Sequence, residues 1–363
     1  MKHLVSHSRK PIVMALSAIL FFIVSSVAQI PPGYYDPANG KTGTELQASL
    51  HNIIKNHTVK SYDYIWTGFH TTDDKPDGTV WDMYSDIPGS APPYTFQFGS
   101  DQCGNYGGEG DCYNREHSWP KSWFNDVPPM NSDMFHIYPT DGYVNGKRNN
   151  YPYGTVGTAS WTSQNGSKLG SCSWSGYSGT VFEPIDGYKG DFARTYFYMS
   201  TRYYTEDGSW NVTEMTNKSQ LKPWALQMML TWASADPVSS KETDRNNTLY
   251  GIQNNRNPFI DHPEYAFLIW GNPVGTVEHD VAMHQLTAYP NPATDRCAIP
   301  LPAGAATADL HPVLLSASGI SYRLSSSMEN NNLEINLQAL PKGIYFLMLT
   351  SEKAVYQTKL VKE

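Results

Sequence analysis

This sequence predicts an α+β domain followed by a small all-β, sandwich-like domain. Two patterns carry that reading. Apolar residues at helical spacing recur in several segments before residue 285, separated by stretches rich in Gly, Pro and Asp. From residue 286 onward the pattern changes to short alternating strands bounded by turn residues. The predicted organisation is an export signal over 1–28, a first domain over 29–281 and a β-domain over 286–363.

The start of the chain sets the compartment. Lys2, Arg9 and Lys10 precede the apolar run PIVMALSAILFFIVSSVA, and Ser26-Val27-Ala28 offers small residues for cleavage. The run is near the lower limit for a bilayer span, so an uncleaved anchor is the rival reading. Cleavage leaves no stable membrane insertion. It removes three cations and no acids, so 23 cations then face 34 acids, a net charge of −11. Such a protein has no global attraction for nucleic acid, and any phosphate site must be a local cluster.

The elements follow in order. ELQASLHNIIKNH (45–57) spaces Leu46, Leu50, Ile53 and Ile54 as a helix does. Residues 58–112 alternate aromatic and polar segments and read as loops with short strands. Residues 186–204 set Phe192, Tyr196, Met199 and Tyr203 on one stripe of an amphipathic helix. Residues 222–234 give another helix that stops near Asp236-Pro237, and Ser239-x-x-Glu242 fits a capping box for a third. Strands are expected within 286–363 at LTAYPNP, DLHPVLLSAS, NLEINL, KGIYFLMLTS and VYQTKLVKE.

Export permits disulfides. Cys103 and Cys112 flank the loop GNYGGEGD and are spaced to close a short ring; Cys172 and Cys297 leave other pairings open. A zinc site is the weaker reading, because no C-x2-C pair occurs.

The chemistry centres on CYNREHSWPKSWF (112–124), where Glu116 adjoins His117. Neighbours on a strand point to opposite faces, so the two share a site only where the strand ends. Pro120 forbids regular continuation. A neutral histidine is a natural general base, and a carboxylate holds a hard cation such as Mg²⁺. SDMFHIYPTDGYVNGKRNNYPYG (132–154) adds oxygen donors at Asp133, Asp141, Asn145, Asn149 and Asn150, with cations at Lys147 and Arg148. Those asparagines also suit turns.

These two segments, with FEPIDGYKGDFARTYFYM (182–199), WASADPVSSKETDRNN (232–247) and QNNRNPFIDHPE (253–264), make residues 31–272 resemble the bacterial endonuclease I family. These are secreted or periplasmic nucleases with a His-Me finger (ββα-metal) active site. The resemblance implies that His117 is the general base, at the end of the first strand of that unit. Glu116 and Asn145 would bind catalytic Mg²⁺ or another divalent cation, Asn145 from the helix. Asp133 and His136 match a block near the site and are expected just behind it. The implied substrate is DNA, with RNA as a second candidate, cut to leave 5′-phosphates. Better-known members carry a phosphate-contacting Arg in an insertion between the His and the Asn. Only 27 residues separate His117 from Asn145 here, none of them Arg. Arg148 is the first choice for that cation, then Arg115 or Lys121.

At the other end, YPNPATDR (289–296) and LPKGIYFLMLTSEKAVYQTKLVKE resemble the C-terminal sorting modules of type IX secretion. The secretion machinery is the partner this implies, and the cell surface or medium the destination. A metalloprotease is disfavoured, since H-E-x-x-H is absent. A non-catalytic glycan-binding or adhesion protein is the alternative; it would use the many Tyr and Trp but has no need of Glu116, His117 and Asn145 together.

Overall fold

The computed structural model describes residues 30–271, 282–301, 311–316, 321–322, 325–329, 332–350 and 354–363. The export signal expected over 1–28 lies outside the described residues. Among the described residues no helix is long and apolar enough to cross a membrane.

Helix α1 (Gly43–Ile54) forms where expected: Leu46, Leu50 and Ile54 lie one above another and are fully buried. Helix α2 (Tyr64–Thr72) falls inside the stretch expected to be loops and strands, a correction. Gly68 and the β-branched Ile65, Thr67, Thr71 and Thr72 give it weak local propensity. Burial of Ile65 and Phe69 overrides that. The rest of 73–112 holds isolated bridges rather than strands.

Next come β1 (Tyr113–His117), β2 (Ile137–Asp141) and α3 (Gly142–Arg148). β1 and β2 pair antiparallel, with Glu116 opposite Tyr138 and His117 opposite Ile137. A three-stranded antiparallel sheet follows, of β3 (Val156–Thr162), β4 (Lys168–Cys172) and β5 (Thr180–Glu183).

Helix α4 (Lys189–Arg202) was expected to be amphipathic. It is instead buried all round, from Gly190 to Arg202, because it runs through the centre of the domain. Two of its charged residues are paired inside: Arg194 with Glu242, and Asp191 with Lys241. After the short hairpin β6 (Thr216–Asn217) and β7 (Gln220–Leu221), α5 (Pro223–Ala235) packs on α4. Helix α6 (Ser240–Gln253) starts at the predicted capping box, with Ser239 and Glu242 each satisfying the other's backbone N–H. The short α7 (Pro258–Asp261) and α8 (Glu264–Trp270) close the domain, α8 against α1.

The C-terminal region is all-β among the described residues. A five-stranded sheet has the order β11 (Ser321–Tyr322), β10 (His311–Ser316), β14 (Gly343–Thr350), β15 (Ala354–Lys362), β8 (Ala282–Gln285). A three-stranded sheet has the order β12 (Ser325–Glu329), β13 (Asn332–Asn336), β9 (Arg296–Pro300). Both sheets feed one core, with Leu314, Leu347 and Leu349 from the first and Ile299, Leu333 and Ile335 from the second. LTAYPNP is not a strand; Tyr289 makes only a bridge to Ala298. Strand β8 precedes the boundary expected at 286 and pairs parallel with β15, so the sheet begins by Ala282.

Candidate active site

The β1–β2–α3 unit builds the site. Strand β1 ends at His117, and Ser118 continues it with one bond, its N–H donating to the His136 carbonyl. Helix α3 starts at once after β2 because Asp141 caps it, its carboxylate accepting from the Val144 N–H at 2.8 Å. The Asp141 N–H in turn donates to Asp82 at 3.0 Å. Asp141, expected among the possible oxygen donors, is thus committed to the helix start and to the Gly110 N–H. At the other end Asn149 takes a positive φ of 53° and stops the helix.

The Cys103–Cys112 ring is closed by a disulfide, and Cys172 and Cys297 are free thiols. The ring places Tyr106 flat on α3. A Cβ on Gly142 would lie 2.6 Å from the Tyr106 ring, and one on Gly146 2.5 Å from its hydroxyl. Two glycines one turn apart therefore let the loop rest directly on the helix backbone.

A cleft of about 440 Å³ is lined by Asn114, Arg115, Glu116, His117, Lys121, Asn145 and Arg148, together with Tyr62 and Trp66 from the α2 region. Sequence-distant residues that the motif reading named are thus brought together. Glu116 is buried, and its Oε1 accepts from Tyr84 Oη at 2.9 Å and from Arg148 Nη1 at 2.9 Å. Burial pushes its carboxyl up to about 6, against the pull of Arg148 and Tyr84. The Arg148 guanidinium beside it favours the carboxylate form. The His117 Nε2 lies 3.2 Å from the Asn131 carbonyl, which can only accept. Nε2 therefore carries the proton, and Nδ1 keeps its lone pair. Burial, and then the neighbouring His136, hold the His117 pKa well below the usual histidine value, so the ring is neutral.

Asn145 donates its amide N–H to Asn114 Oδ1 at 2.7 Å, which frees its own Oδ1 as an acceptor. No cluster of three His, Cys, Asp or Glu suited to a metal exists among the described residues. A cation here would rest on one carboxylate, through the Oε2 that neither bond above uses, and on one amide oxygen. Such hard oxygen donors fit Mg²⁺, which keeps several waters.

Arg148 is not placed as a phosphate grip. It is 1% exposed, bonded to Glu116, to the His117 and Ser118 carbonyls and to Tyr196, and stacked over Tyr153 at 4.6 Å. The pairing that burial enforces turns its donors inward, towards Glu116. Asp133 is also buried away from the cleft lining. Burial would raise its pKa, but His57, His136 and the Gln253 bond hold it low, and Tyr198 and Tyr203 donate to it at 2.9 Å each. His136 packs edge-on to His117 at 5.4 Å and bonds the Met130 carbonyl at 2.7 Å. Asn131, Tyr84, Tyr62 and Trp66 escaped sequence reasoning. Tyr84 lies 32 residues before Glu116, and no spacing in the chain marks it.

Residues 42–264 match the endonuclease I family, and residues 287–363 match a secretion system C-terminal sorting domain. The chain belongs to the endonuclease I family. An extracellular ribonuclease of Bacillus amyloliquefaciens is 36% identical over 274 residues, covering 73% of this chain and 88% of the relative. One from Bacillus subtilis (strain 168) is 36% identical over 245 residues, 65% of this chain and 78% of the relative. An endonuclease-1 of Buchnera aphidicola subsp. Baizongia pistaciae is 28% identical over 167 residues, 46% of this chain and 57% of the relative. This endonuclease I family member is a nuclease, a phosphodiester hydrolase, with a type IX sorting tail that marks it for secretion or the cell surface. The glycan-binding alternative is set aside.

Proposed function

We propose that this protein is a divalent-metal-dependent endonuclease of low sequence specificity that cuts DNA and RNA through a ββα-metal site. The observation that carries this is the meeting of His117, Glu116 and Asn145 in one cleft, from β1 and α3. DNA follows from the resemblance of the motifs, and the ribonuclease names of the two Bacillus relatives bring in RNA on equal terms.

In this reading His117 Nδ1 takes the proton of the attacking water. Its neutral state at physiological pH leaves that lone pair available. Asn131 fixes the ring orientation. Glu116 and Asn145 would hold Mg²⁺ through oxygen, and Arg148 with Tyr84 hold Glu116 in place. The bound cation would supply polarisation of the phosphate and charge stabilisation for the departing oxygen. The cleft grips the backbone and leaves bases unread, which accounts for low specificity.

Incubation with plasmid DNA and with RNA, with and without EDTA, tests the reading. Both substrates should be cut only without chelator; cleavage in excess EDTA would overturn metal dependence. In a Mg²⁺ titration, Glu116→Ala and Asn145→Ala should shift the midpoint upward or depress the maximum rate. A variant in which neither changes removes that residue from the metal site.

A further inference from the structure

Alternation along β1 sorts the motif onto two faces. Asn114 and Glu116 point to one side, where they bond Asn145 and Arg148 of α3. Arg115 and His117 lie on the wall towards Tyr62, and because β1 ends at His117 both sets line the one cleft. Two residues apart on a strand, the Arg115 and His117 Cα atoms are about 6.6 Å from one another, a span that a single phosphate with its attacking water can bridge.

Arg115 differs from the buried arginines of the domain. Arg148, Arg194, Arg245 and Arg256 each lie 2.5–2.9 Å from a buried carboxylate, and Arg202 lies 3.0 Å from the exposed Glu206. The Arg115 guanidinium instead stacks over two rings, 3.6 Å from the Tyr62 centroid and 4.5 Å from that of Trp66. It donates from Nη1 to the Tyr62 carbonyl at 2.8 Å. The nearest carboxylate of its ion pairs, Asp63, stands 4.0 Å off with its side chain 98% exposed, where solvent screens it. The cation is therefore held rigid by aromatic faces yet not neutralised, in a cleft of a strongly acidic protein. Rings that fix a guanidinium spare the entropy of ordering it when an anion arrives, and its planar fork suits phosphate oxygens. Tyr62 also packs 5.9 Å from the His117 ring, and Lys121 Nζ lies 5.4 Å from Tyr62. Lys121 is paired to exposed Asp126 at 3.2 Å, so it is the outer and weaker cation.

We infer that Arg115 is the cation that grips the substrate phosphate beside His117, and that Tyr62 and Trp66 are the residues that position it. The inference rests on the reading of this cleft as the nuclease site with His117 as base, and it moves the phosphate role from Arg148 to Arg115.

The test is fluorescence anisotropy of the full-length protein with a labelled single-stranded DNA oligonucleotide and its RNA counterpart, in EDTA, across a salt series. Arg115→Ala should weaken binding to both by roughly tenfold, and the slope of log affinity against log salt should flatten by about 0.7, the contribution of one phosphate contact on a single strand. Arg115→Lys should keep the slope and recover part of the affinity. Tyr62→Leu should weaken binding several-fold with the slope unchanged, a split that loss of folding does not produce. With Mg²⁺ present, Arg115→Ala should raise KM more than it lowers kcat. Should Arg115→Ala fail to fold by thermal melting, Arg115→Gln keeps the planar head and gives the same reading. An affinity and slope within twofold of wild type in a folded Arg115→Ala or Arg115→Gln protein overturns the inference. His117→Ala separates the two claims, since it should lower cleavage by ~10²–10⁴-fold. If it cuts within a few-fold of wild type, the site reading fails; if its cleavage falls as expected while Arg115 variants bind normally, only the Arg115 assignment fails.

Discussion

The nuclease region and the C-terminal region bury different things. The first encloses acid–base side-chain pairs: Arg148 with Glu116, Arg194 with Glu242, Arg245 with Asp73 and Lys241 with Asp191, all nearly inaccessible to solvent. The second has an aliphatic core of Ile and Leu with Tyr345 and Tyr356, and its described ion pair, Lys362 with Asp295, leaves Asp295 63% exposed. Buried charges are costly to desolvate, and a hydrophobic substitute is often as stable. Here Arg148 and Glu116 tie α3 to β1, Arg245 donates to the Ile137 carbonyl of β2, and Lys241 lies over the Tyr138 ring of β2. Among the described residues of the C-terminal region no such buried pair occurs, and apolar side chains form the core.

Removing the base from the charged region should have the largest effect. His117→Ala is expected to lower cleavage by ~10²–10⁴-fold with the thermal transition nearly intact. Activity within a few-fold of wild type would detach the chemistry from this region.

Next comes the ion pair itself. Arg148→Met leaves Glu116 buried without its cation, a loss of about 3–5 kcal/mol by urea unfolding. The matching change in the tail, Lys362→Met, should alter stability by less than about 1 kcal/mol, because the pair is 4.0 Å apart and Asp295, 63% exposed, is screened by solvent. Equal losses in the two regions would erase the contrast.

A smaller, pH-dependent difference should follow from Asp82. Burial first, and then the neighbouring Asp141, push its carboxyl up to about 7. A raised pKa favours the protonated form in the folded state. The stability it contributes is complete below the ordinary aspartate pKa, near 4, and is lost as pH rises through about 7. Asp82→Asn, which mimics the protonated form, should therefore gain on wild type between pH 5 and pH 8, by at most about 1.4 kcal/mol per unit of pKa shift. A pH-independent difference between the two proteins would mean that Asp82 does not titrate in this range.

The least effect on catalysis should come from deleting the tail. A chain ending at Val281 is expected to keep nuclease activity within twofold of wild type in vitro, yet fail to reach the surface or medium in its host. A folded but inactive product would place substrate contacts in the tail, and normal release would remove its sorting role.

Much of the candidate site was legible in the sequence because its residues lie close together along the chain. Glu116 and His117 are adjacent, and Asn145 lies on the helix that directly follows the paired strand. The capping box at Ser239 and the ring of Cys103 and Cys112 were legible for the same reason. The partners were not legible. Tyr84 reaches Glu116, Asn131 orients His117, and Tyr62 with Trp66 cradle Arg115, through contacts that no period in the chain announces. Helix α2 was missed because its residues favour helix only weakly, and burial against α6 outweighs propensity.

By itself, then, the sequence determined which residue types could do the chemistry, the order of the two regions and the export destination. Alternation, capping and turn preferences act between near neighbours and are written in order along the chain. Tertiary structure alone decided which cation faces the substrate. Arg115 and Arg148 carry the same charge within 33 residues of one another. Burial obliged Arg148 to pair with Glu116, while two rings brought from the α2 region left Arg115 without a close counter-charge at the cleft. Desolvation and pairing depend on what surrounds a side chain in space, and that is fixed only when the distant segments pack together.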